Sequence, residues 1–223
     1  MPMARGRFHK AVLFSGSATR VLTAEAALRQ VDEISRSLHL ETIDAIGQRP
    51  GADILEAQEQ VVDHDFGVRN GLRGRVWAGV VDGHVLASHP ALAVQQGSLR
   101  DVPVLTCCAT EEAQLFEVLG NPGYAPADGQ ALLVEMRLGV GCMAEALLAH
   151  YSDSHPDASL ARLRSVYLTD YIYRARVVRL ATDQVNSGGK AWSLLFDFAS
   201  PQLGRRPRGV QTGARHAPLP TLG

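Results

Sequence analysis

The side chains with nucleophilic or acid–base chemistry are spread along this sequence. Ser15 and Ser17 close an apolar run as Phe14-Ser15-Gly16-Ser17, the acidic pair Glu111-Glu112 follows a second apolar run, and His216 stands near the end in Gly213-Ala214-Arg215-His216-Ala217. A serine hydroxyl is a poor nucleophile until a histidine nitrogen takes its proton and a carboxylate fixes that histidine's tautomer. The elbow that presents such a serine needs glycine two residues before it and two after it, G-x-S-x-G. No serine here has those flanks, and Ser15 and Ser17 come nearest. Taken alone, Glu111 and Glu112 read as solvated carboxylates in the first turn of a helix, where the macrodipole favours them. Taken alone, His216 reads as an exposed tail residue.

Metal chemistry finds little purchase. The eight histidines are scattered, with no H-E-x-x-H and no i, i+4 pair. The cysteines Cys107, Cys108 and Cys142 lack C-x-x-C spacing and read as small buried hydrophobes. A metal site built from Glu111, Glu112 and histidines has no recognisable ligand spacing. Neither a metal nor a cofactor is expected.

The chain has 223 residues, 46% hydrophobic and 20% charged, with a formal net charge of −1. This is a globular composition with no overall field to draw it to nucleic acid or an anionic membrane surface. Apolar runs such as residues 131–134 and 144–149 are far too short to span a bilayer. The start, MPMARGRFHK followed only by AVLF, is not a secretory leader. A cytoplasmic location is expected, although a leader would be lost with any missing N-terminal part.

The elements that must hold these side chains alternate. Residues 10–14 read as a buried strand, and Thr23 caps a helix with Ala27, Leu28, Val31, Ile34 and Leu38 on its apolar face. Residues 41–62 give short helices broken at Arg49-Pro50-Gly51, and residues 63–75 a loop. Residues 77–81 are a short apolar run ending in an Asp82-Gly83 turn, and residues 91–97 a helical turn. Residues 102–107 form a strand leading into a helix that starts at 109–112 and turns Leu115, Phe116 and Leu119 inward. Helical periodicity then runs from 130 to 186, with breaks near Gly139–Gly141, at Ser154-His155-Pro156 and near Asp170. Asp157 is the expected cap for the helix carrying Leu160, Leu163 and Val166, and the last helix turns Ile172, Val177, Leu180 and Val185 inward. Residues 190–198 alternate as a strand with Trp192, Leu194 and Phe196 on one face. The order predicts an α/β sheet with helices on both faces. Residues 199–223, with Arg205, Arg206, Arg208 and Arg215 among glycines and prolines, read as an irregular basic tail.

Four ordered segments carry a resemblance. They are GRFHKAVLFSGSA (6–18), VVDGHVLASHP (80–90), DVPVLTCCATEEAQLF (101–116) and LTDYIYRARVVRLATDQVNSGGKAWSLLFDF (168–198). Together they resemble the type-B carboxylesterases, the family of the para-nitrobenzyl esterases and cholinesterases. The second segment is similar to P-V-V-D-G-x-x-L-P, and the third to a strand leading into G-x-N-x-D-E-G. The resemblance implies the C-terminal portion of an α/β-hydrolase fold, the end of a mostly parallel sheet flanked by helices. Residues 1–223 would be one incomplete domain.

Residue by residue, the resemblance puts Glu112 on the family's triad acid, with Glu111 as the fallback, and His216 on the general base. Cys107-Cys108-Ala109 stands for the family's G-x-N, and Ala113 for its final glycine. Ser15 and Ser17 fall just after the elbow, so the nucleophile is absent, and the oxyanion loop would lie before residue 1. The implied activity is serine-type hydrolysis of small-molecule esters, with the chain inactive by itself. A non-catalytic, cholinesterase-like interaction module is the other reading. Asp82 and Asp170 read as turn or cap carboxylates, and Trp77, Phe116 and Trp192 as core aromatics rather than pocket walls. A sheet lacking its central neighbours predicts exposed apolar surface and poor solubility.

Overall fold

The structure is a computed structural model that describes residues 4–16, 19, 21–60, 78–118 and 124–198. Its centre is a parallel sheet of β1 (Ala11–Phe14), β4 (Val104–Ala109) and β5 (Ala191–Phe196), in the order β1-β4-β5. Register runs Ala11↔Val104↔Ala191 at one end and Phe14↔Cys107↔Leu194 towards the other. Parallel neighbours cannot be joined by tight turns, so each pair is bridged by helices. The observed β4 starts and ends two residues later than the sequence run suggests, which places both Cys107 and Cys108 in the strand, buried.

A second sheet pairs β2 (Val21–Thr23) with β3 (Gly79–Val81), again in parallel. Helix α1 (Ala24–Ser37) starts at Thr23, whose Oγ1 accepts from the Ala26 N–H at 3.1 Å. Its buried stripe is Ala26, Gln30 and Ile34, and Leu28 faces solvent at 64% exposure. The expected face was therefore rotated by about one position at its start. A 3-10 turn (Ile43–Gln48) and α2 (Gly51–Gln60) follow, separated at Pro50 as expected. The turn after β3 is tied by Asp82, whose Oδ1 accepts from the His84 and Leu86 N–H groups at 2.9 and 3.0 Å. Those backbone donors hold its carboxyl below the usual aspartate range. Helix α3 (Pro90–Gln95) precedes β4.

After β4 and the short α4 (Gln114–Val118), a helical layer forms from α5 (Gly129–Val140), α6 (Ala144–Ser154), α7 (Leu160–Leu168) and α8 (Ala175–Asn186). Leu132, Met136, Ala144 and Leu168 are fully inaccessible at its centre. The cap of α7 is Ser159, whose Oγ accepts from the Arg162 N–H at 3.1 Å, and not Asp157. Ser159 wins because it directly precedes the first helical residue, where its oxygen reaches the third N–H. The expected break near Asp170 is instead a π-turn, Thr169–Arg174, so α7 and α8 run on continuously. On α8, Val177 and Leu180 are buried as expected, whereas Val185 is 53% exposed.

One ion pair is embedded in this layer. Arg164, 4% exposed, donates Nε to both oxygens of Glu135 and Nη1 to the Tyr124 carbonyl at 2.8 Å, with its guanidinium 4.8 Å from the Tyr124 ring centre. Burial still pushes the Glu135 carboxyl up, more than Arg164 pulls it down. Among the described residues, no helix is long and apolar enough to cross a membrane.

Candidate active site

In a parallel sheet the carboxyl ends of the strands gather the turns that carry chemistry. Here Ser15 directly follows β1, β4 runs into the turn 110–113, and Asp197 directly follows β5. The three ends are stitched together. The Ser15 N–H donates to the Cys107 carbonyl at 2.7 Å, and the Thr110 N–H to the Phe196 carbonyl at 3.0 Å. Thr110 Oγ1 donates to Asp197 Oδ1 at 3.2 Å.

Glu112 sits in that turn. A helix was expected to begin at 109–112, but α4 starts only at Gln114, so Glu112 lies ahead of the helix and not in its first turn. Its Oε1 accepts from the Ala109 N–H at 2.8 Å and from the Ser15 hydroxyl. Ser15 reaches it with a left-handed backbone, φ +53°, which swings the side chain off the end of β1 towards β4. Ser15 is exposed and Glu112 half-buried.

The neighbouring Glu111 points elsewhere. It is paired with Arg162 of α7, so the two carboxylates divide: one to the helical layer, the other to the strand ends. The turn is braced from behind. The buried Ala113 N–H donates to Thr169 Oγ1 at 3.1 Å, and the Ala113 carbonyl accepts from the Tyr124 hydroxyl at 3.3 Å. Arg174 donates to the Thr110 carbonyl at 2.8 Å and pairs with Asp170 at 2.6 Å, and Asp170 in turn accepts from the Tyr151 hydroxyl at 3.0 Å. The π-turn thus supplies Thr169, Asp170 and Arg174 to one brace. Sequence reasoning did not pick out Thr169, Arg174 or Tyr124 for this task. Thr169 and Arg174 lie 56 and 64 residues from the atoms they hold, and no local pattern marks them.

Asp82 is a turn carboxylate, as read from the sequence, whereas Asp170, read as a turn or cap residue, lies inside the π-turn and pairs with Arg174. Phe116 packs against the helical core, but Trp192 is 56% exposed and is no core residue among these strands. His216, Ser17, Trp77 and Leu119 lie outside the described residues. Burial raises the Cys108 thiol, which keeps it an unreactive strand residue. Among the described residues, no group of three or more His, Cys, Asp or Glu side chains is arranged to hold a metal ion. Chemically, the site offers a carboxylate fixed through one oxygen at the strand ends, a suitable acceptor for an imidazole N–H.

Comparison with known proteins gives the context of this turn. The sequence model of the carboxylesterase family matches residues 1–218. Cholinesterase 2 of Branchiostoma lanceolatum is 29% identical over 139 residues, 59% of this chain and 40% of that protein. The crystal protein of Dictyostelium discoideum is 26% identical over 184 residues, 77% of this chain and 31% of that protein. The carboxylesterase EST55 of Geobacillus stearothermophilus superposes with a TM-score of 0.72 at 24% identity, covering 90% of this chain and 40% of that one. A PNB esterase superposes with a TM-score of 0.63 at 21% identity and the same coverage. The chain spans two fifths or less of the length of these relatives. The fold is that of the α/β-hydrolases, its parallel sheet flanked by helices. With its family model matched almost from end to end, the chain belongs to the carboxylesterase family.

Proposed function

We propose that this chain carries the acid and the histidine of a Ser–Glu–His triad that hydrolyses small-molecule carboxylic esters, and that it lacks the nucleophile. Glu112 is the acid and His216 the general base. The observation that carries the reading is the position of Glu112, just past the carboxyl end of β4, with Oε1 held by the Ala109 N–H and the Ser15 hydroxyl. A triad acid needs this placement, because it must hold an imidazole in one tautomer and stabilise the cation that forms. Glu111, neutralised by Arg162, is poorly placed for the task.

In the complete reaction a serine oxygen attacks the ester carbonyl while histidine takes its proton. Histidine then gives that proton to the departing alkoxide, leaving an acyl-serine that water hydrolyses by the same relay. Backbone N–H groups stabilise the oxyanion. No serine of this sequence has G-x-S-x-G flanks, so the chain alone is inactive. His216 belongs to the segment 199–223, which lies outside the described residues. The test is p-nitrophenyl acetate turnover by the purified chain, together with labelling by a fluorophosphonate probe. Neither turnover nor labelling is expected, and a covalent adduct on Ser15 or any other serine would overturn the missing nucleophile.

A further inference from the structure

We draw no further inference here: the strongest candidate, the hydrogen-bonded side-chain cluster of Glu117, Tyr124, Glu135, Arg164 and Ser165 that joins α4, α5 and α7 behind the Glu112 turn, carries nothing because its use as a pH-sensitive latch would rest on the raised Glu135 carboxyl alone, with no second arrangement of the cluster in the structure.

Discussion

The hydroxyl of Ser15 donates to Oε1 of Glu112 across 97 residues of sequence, tying the end of β1 to the turn after β4. Hydrogen bonds to ionised groups stabilise by about 1.5–3 kcal/mol when buried, and solvent at the exposed Ser15 lowers that. Ser15→Ala is therefore expected to cost about 1 kcal/mol in urea denaturation. A double-mutant cycle with Glu112→Ala should return a coupling of roughly 0.5–1 kcal/mol. Coupling within error of zero would mean the contact does not hold the turn.

Thr169 and the Ala113 N–H form a buried pair, since the two residues are 2% and 0% exposed. Thr169→Val keeps the shape and orphans the donor, which costs about 1–3 kcal/mol. Faster amide exchange at Ala113, without faster exchange along β4, is the expected signature of a loosened turn.

Leu132 is fully buried in the helical core, and Leu138 on the same helix is 73% exposed. Leu132→Ala should cost about 2–5 kcal/mol through the cavity it leaves. Leu138→Ala should stay within about 0.5 kcal/mol of the parent. Similar denaturation midpoints for the two variants would contradict the orientation of α5.

Asp82 gives a pH signature. Its folded-state carboxyl titrates below the unfolded value of 3.8 because the His84 and Leu86 N–H groups bind the ionised form. The stabilisation is present above 3.8 and is lost as pH falls through the lowered folded value. Asp82→Ala should lower Tm at neutral pH, and the deficit should narrow as the parent is acidified below that window. A deficit unchanged in acid would rule out the ionised turn.

Most strands and helices were legible because apolar runs and caps are local, but the three-residue β2 at Val21–Thr23 was not. Thr23 announces α1, Pro50 divides two helices, and the run at 102–107 overlaps β4 from Val104 onward. The errors have physical causes. Leu28 and Val185 are apolar yet exposed, because periodicity records residue type and not which neighbour is present. Near Asp170 a polar residue read as a break, but a π-turn keeps the helix running and spends its irregularity on the brace around Thr110 and Ala113. The choice of Glu112 over Glu111 came from resemblance to a motif. Their different partners, Ser15 and Arg162, depend on tertiary packing that no local pattern encodes.

The π-turn has a consequence for phase. A helix advances about 100° per residue, so the wide turn at 169–174 resets the angular position of everything after it. Before it, Leu163, Tyr167 and Leu168 face the helical core; after it, Val177, Leu180 and Gln184 are buried, and Gln184 Nε2 holds the Leu99 and Val102 carbonyls just ahead of β4. Deleting one residue there would give a smoother helix and a worse protein. The rod would straighten, but its second half would turn by a quarter or more and lift Gln184 away from the strand it registers.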